Sequence, residues 1–215
     1  MKNFNWLKQS FVALGLFAAL GSVQAGSYDD FFKAIQLDQP KPIEVLLRRG
    51  FDPNTVHPDG TPALIKAFQE QSFQAAKALI DAQDIRVDVR NSRDETPLML
   101  ASLRGQENLV VALVSRGAAV NKSGWTPLHY AATGGHVRVS AFLIGAQADV
   151  NAESPNGTTP LMMAAMYGNA ETVKLLLESG AEAYPRNDQD LSAEDFAIRA
   201  GREAALNLIR QVLSR

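Results

Sequence analysis

The chain has 215 residues, 46% hydrophobic and 20% charged, the proportions of an ordinary folded protein. Its formal net charge of −2 lacks the basic bias that nucleic-acid binding requires, which sets that class aside. It has no cysteine, which excludes a disulfide scaffold and a lipid-modified N-terminus.

The first 25 residues read as a targeting segment. Lys2 and Lys8 give a positive start, Phe11 to Leu20 an apolar run, and Val23-Gln24-Ala25 a peptidase site. Cleavage is expected after Ala25. The alternative is a retained membrane anchor, but the apolar run is shorter than the ~20 residues a spanning helix needs. No Arg-Arg pair precedes the run, so export of the unfolded chain to a bacterial periplasm is the simplest route, with secretion as the alternative. Removing the segment leaves 19 basic and 23 acidic side chains, a net of −4.

Residues 26–56 read as an N-terminal cap. Asp29 to Ile35 suggests a first helix with acidic residues in its first turn. Pro42 suits the start of a second helix, in which Ile43, Leu46 and Leu47 share one face. Gly50 ends it. The next unit, 57–90, has a turn at Asp59-Gly60 and a helix opening at Thr61-Pro62, with Thr61 as the cap and Pro62 in the first helical position. Phe73 to Ile80 is its partner helix. Residues 91–121 and 122–151 repeat the plan from Thr96-Pro97 and Thr126-Pro127, with glycine breaks at Gly105 and at Gly134-Gly135. Residues 152–183 repeat it again from Thr159-Pro160. Residues 184–215 read as a C-terminal cap, where Ser192-Ala193 replaces Thr-Pro and Gln211, Ser214 and the arginines make the outer surface polar.

From Thr61 the markers step by 35, 30, 33 and 33 residues. A second marker stays in phase with them: Gly50 to Asn54, Gly117 to Asn121 and Gln147 to Asn151 are versions of one loop, and Gly180 to Ala183 is a worn fourth. A period near 33 residues with a Thr-Pro-Leu-His-x-Ala core, as at Thr126 to Ala131, resembles the ankyrin repeat. The resemblance covers residues 27–215. It implies an all-α solenoid of stacked helix pairs with β-turn fingers, used to bind other proteins. The short step from Thr96 to Thr126 implies a trimmed finger at Lys122-Ser123-Gly124.

Little in the chain suggests chemistry. His57 reads as a free surface residue. In the resemblance, His129 and His136 are structural, their imidazoles bonding backbone between loop and helix. No metal-ligand spacing, nucleophile motif or phosphate-binding loop is present, so no cofactor and no enzyme are expected. The adjacent acids Asp29-Asp30 and Asp94-Glu95 read as helix caps.

What remains is a binding surface. By the resemblance, finger tips and the exposed side of each first helix line one concave face. That places Phe68, Gln69, Leu103, Arg104, Trp125, Thr133, Met166, Tyr167 and Arg199 on a protein-binding ladder. Two arrangements are open for its aromatics: Trp125 and Tyr167 exposed to a partner, or Trp125 folded over the neighbouring finger and Tyr167 packed between helices. Finger residues Asp59, Arg93, Asp94, Lys122, Glu153, Asn156, Arg186 and Asp188 are expected in solvent. The expected function is a periplasmic adaptor, a monomer without small-molecule substrate, touching membrane only through its protein partner. The same surface would serve an inhibitor or immunity-type protein masking a toxin or enzyme, or an envelope-stress scaffold.

Overall fold

A computed structural model describes residues 26–214; the expected leader and cleavage site lie outside the described residues. Twelve helices form pairs among those residues. They are α1 (26–36), α2 (Pro40–Arg48), α3 (Ala63–Gln69), α4 (Phe73–Ile80), α5 (Pro97–Leu103), α6 (Glu107–Ser115), α7 (Pro127–Gly134), α8 (Val137–Gly145), α9 (Pro160–Met166), α10 (Ala170–Glu178), α11 (Ala193–Arg199) and α12 (Glu203–Leu213). Each helix is too short to be stable alone in water, so packing on neighbouring copies holds it. One continuous core runs from Phe31 and Ile35 through Leu98, Leu128 and Leu161 to Ile209.

The helix starts show why the repeat folds as it does. Thr96 Oγ1 accepts the Met99 N–H at 3.3 Å, and Met99 Sδ accepts the Thr96 N–H at 3.4 Å. Thr159 and Met162 repeat this arrangement, both at 3.4 Å. In α7 the acceptor is an imidazole: His129 Nδ1 takes the Thr126 N–H at 3.2 Å. In α11 it is a carboxylate, with Asp195 Oδ2 2.9 Å from Ser192 N. Three side-chain chemistries, a thioether twice, an imidazole and a carboxylate, thus satisfy the same orphan donor at the head of a helix.

Two residues before each N-cap the chain turns through positive φ, at Gly60, Asp94, Gly124, Gly157 and Asp190. That turn corrects the register of the first full copy. The N-cap of α3 is Pro62, and the helix begins at Ala63, one residue later than the Thr-Pro marker suggests. Pro62 stands where Thr96, Thr126, Thr159 and Ser192 stand, as the matching bridges Val56–Pro62 and Arg186–Ser192 confirm. Helix α2 begins at Pro40, at the head of the Pro40-Lys41-Pro42 run that suits a helix start.

The exit loops interlock through one side chain each. Asn54 Nδ2 donates to the Asp84 carbonyl at 2.8 Å, and its Oδ1 accepts the Arg86 N–H at 2.8 Å. Asn121 grips Gln147 and Asp149, and Asn151 grips Gly180 and Glu182, in the same two-bond way. Asp88 holds the equivalent place but can only accept, from Ala119 N–H at 3.0 Å. At that joint Arg116 reaches back to the carbonyls of Ala82 and Gln83.

Three surface expectations are corrected. Lys122 is not a solvated tip: its side chain is 8% exposed, and its ammonium bridges Asp94 at 2.6 Å and the Ser123 carbonyl at 3.0 Å. It fills the space that the trimmed finger leaves. His57 is not free either. Its Nδ1 lies 2.9 Å from Asp59 Oδ2, and its ring stands edge-on to Phe32. The last copy is less polar than a cap requires, because Tyr184, Ile198, Val212 and Leu213 are exposed.

Candidate functional site

From α5 to α11 the first helices pack on one another more closely than the second helices do. The stack therefore bends toward them, and their outward stripe is the inner face. Residues four, seven and eight places past each N-cap make that stripe, since these spacings share one side of a helix. Those three, five and six places past it are turned into the core through most of the stack, as at Met99, Ala101 and Ser102.

The ladder mostly falls on the stripe. Gln69, Leu103, Thr133, Met166 and Arg199 occupy the seventh place of successive copies, and Arg104 and Tyr167 the eighth. Gln69, Arg104, Tyr167 and Arg199 are exposed, while Leu103, Thr133 and Met166 are half-buried. Tyr167 is 54% exposed, so it does not pack between helices.

Phe68 is a correction. It is 1% exposed and packs against Phe73, with ring centroids 6.5 Å apart. The one-residue register shift is the cause. Phe68 is six places past Pro62, where the later copies put Ser102, Ala132 and Ala165 in the core. Trp125 lies between its two expected arrangements. It is half-buried, and its indole meets the His129 ring at 5.2 Å and 73°.

The fourth place supplies residues that sequence reasoning missed: Lys66, Leu100, Tyr130, Met163 and Phe196. The helical spacing from Met166 or Leu103 was the signal available for them. Tyr130 is tied across copies, its hydroxyl donating to Glu95 Oε1 at 3.0 Å. Glu95 is not a helix cap. It is buried, and it accepts from Asn91 Nδ2 at 2.6 Å and from Arg93 Nε at 2.9 Å. Burial works against its ionisation, but the hydrogen bonds from Asn91, Arg93 and Tyr130 outweigh it and hold the carboxyl below its usual range. Burial, and then the Glu95 charge, push the Tyr130 phenol up.

Both helix-linked imidazoles bond backbone. His129 Nε2 lies 2.9 Å from the Thr158 carbonyl, and His136 Nε2 lies 3.0 Å from that of Leu103. With the carbonyl as acceptor, His129 carries its proton on Nε2 and is neutral; burial pushes its pKa down to about 4. Asn169 Nδ2 repeats the backward reach of His136, donating to the Gly135 carbonyl at 2.8 Å. Among the described residues no group of three His, Asp or Glu stands close enough to hold a metal ion. No helix among them is long and apolar enough to cross a membrane.

The arrangement offers a bent surface with an apolar stripe, polar edges and a rigid, hydrogen-bonded floor. Comparison with known proteins places it. A family model described as ankyrin repeats (3 copies) matches over residues 31–123, 83–154, 108–187 and 139–212. The chain is 31% identical over 180 residues to tyrosine-protein kinase Shark of Drosophila melanogaster, an alignment covering 81% of this chain and 19% of the kinase. It is 37% identical over 130 residues to ankyrin repeat and SAM domain-containing protein 6 of Rattus norvegicus, covering 58% and 15%. It is 29% identical over 161 residues to a putative ankyrin repeat-containing protein of Treponema pallidum (strain Nichols), covering 71% and 50%. The chain thus spans half or less of the length of these relatives.

Proposed function

The chain belongs to the ankyrin repeat family, and we propose that it is an exported recognition module that binds another exported or membrane protein through its inner face. Repeats of this family imply protein–protein interaction and are typically non-catalytic. The observation that carries the choice of surface is Tyr167. It is 54% exposed, next to half-buried Met166 and one turn from Met163, on the side toward which the stack bends. An exposed tyrosine beside thioethers provides a large apolar contact with a polar tip, the kind of anchor that dominates interface energetics. The reading includes no catalytic step, cofactor or nucleic acid. Export to the periplasm rests on the leader's Lys2, Lys8 and Phe11–Leu20 pattern.

Two measurements test it. A photo-crosslinking residue at position 167, compared with one at Val111 on α6, is expected to trap a defined protein partner from the first position only. Equal trapping from both would move the site off the inner face. Fractionation of a bacterium expressing the full chain, with mass spectrometry, is expected to find periplasmic protein beginning at Gly26; intact cytoplasmic protein would refute export.

A further inference from the structure

The inner face is electrically uneven. Along its finger edge, in the copies from 91 onward, the cations are already spent on acids of the same chain. Arg93 lies 2.8 Å from Glu95, Lys122 2.6 Å from Asp94, and Arg186 3.2 Å from Asp195. The opposite edge, where each first helix runs into its glycine turn, is different. Arg104 and Arg199 are exposed there; Arg199 adds to the charges that hold the Asp195 carboxyl below its usual range, but that carboxylate's ion pair is with Arg186. From α5 to α11, the last turn and the glycine turn that follows contain no Asp or Glu. The nearest acids along the chain are Glu107 and Glu203, which open second helices, and Asp195, one turn before Arg199; Glu107 already holds Arg138 at 2.9 Å and Asp195 already holds Arg186 at 3.2 Å.

A partner lying on Met166 and Tyr167 excludes water from both edges. At the finger edge Arg93, Lys122 and Arg186 already face acids of the same chain. At the glycine edge two guanidinium groups are left to be satisfied by whatever binds. A carboxylate beside them forms a charge-assisted hydrogen bond, whereas a lysine would meet like charge at reduced dielectric. We propose that the occupant is a segment of another protein, apolar along one stripe and carrying carboxylates along the edge that faces Arg104 and Arg199. This rests on the protein-binding reading above and adds the partner's chemistry. Four helices at roughly 8–10 Å spacing separate the arginines by about 27 Å. That corresponds to about 18 residues of helix or about 8 of extended chain.

The test is selection from a displayed library of random 20-residue peptides on the full chain, with Met166→Ala/Tyr167→Ala as counter-selection bait. Groove-dependent binders are expected to carry net negative charge and to weaken with added salt. Their affinity is expected to fall at least tenfold on Arg104→Glu/Arg199→Glu, whose melting temperature should match that of the parent. Groove-dependent binders that are neutral or basic, or that ignore the charge reversal, would overturn the acidic-partner inference and leave the protein-binding reading standing. If no groove-dependent binder emerges, both fall.

Discussion

Nε2 of His129 stands 2.9 Å from the main-chain oxygen of Thr158, one copy further along the stack. A single imidazole thus closes the head of its own helix and holds the next finger. It can do both only while neutral, with Nδ1 accepting and Nε2 donating.

This has a pH signature. The folded pKa of about 4 lies below the ordinary histidine value of 6.5, so the unfolded chain takes up the proton first as pH falls. The contribution is complete above about pH 6.5 and is lost progressively toward pH 4, by about 3 kcal/mol in all. His129→Met copies the acceptor found at Met99 and Met162. It should lower stability at pH 7, because the Thr158 carbonyl keeps only the Ser154 N–H of its two donors, and should flatten the slope between pH 6.5 and 4. Denaturant titrations at several pH values compare the two chains. An unchanged slope in the variant would assign the acid sensitivity to carboxylates.

A Cβ at Gly168 would lie 2.5 Å from the Ala132 carbonyl oxygen and 2.9 Å from that of Ala164. Both obstacles are backbone, so no rotamer change relieves them. Gly168→Ala is expected to cost about 3 kcal/mol. Gly145 has nothing within 4 Å and ends α8, so Gly145→Ala should be neutral or slightly stabilising. Thermal melts of the pair distinguish close packing from a general intolerance of alanine.

Ser140 is buried, and its hydroxyl has no hydrogen-bond partner among the described residues. The equivalent places in neighbouring copies hold Val110 and Val173, both in the core. Ser140→Ala removes an unsatisfied group at little change in volume and should stabilise the stack by about 1 kcal/mol. A drop in the denaturation midpoint would show that the hydroxyl is satisfied in solution.

Phe68 and Tyr167 should behave as opposites. Phe68→Ala empties a fully buried site and should cost about 3–5 kcal/mol. Tyr167→Ala should change stability by no more than about 0.5 kcal/mol and should abolish capture of the partner. Circular dichroism melts and the crosslinking assay measure the two effects on the same preparations.

The fold was legible because two independent markers kept phase. The helix pairs, the trimmed finger and the glycine turns all follow from residues visible in the chain. Phe68 was misplaced for a specific reason. The Thr-Pro pair stands in the expected order at Thr61-Pro62, but Pro62 itself takes the cap position, and each later residue shifts by one. The turn residue two places before the cap, Gly60, kept the true register. Glu95 was hidden differently. Its three donors come from Asn91, Arg93 and Tyr130, and Tyr130 lies 35 residues away in the next copy, a distance at which neither spacing nor propensity speaks.

The size of one side chain governs the outline of the whole molecule. Where Ser102, Ala132 and Ala165 sit in the core, successive first helices from α5 to α11 nestle closely; where Phe68 sits, α3 and α5 are held further apart. The stack is accordingly loosest between α3 and α5, closest between α5 and α7, and nearly as close on both sides of α9, which carries Met163 and Met166 and leads into Tyr167. The spacing of the first helices thus follows a volume sequence read down a single column, and a partner's fit to the inner face is set by residues it never touches.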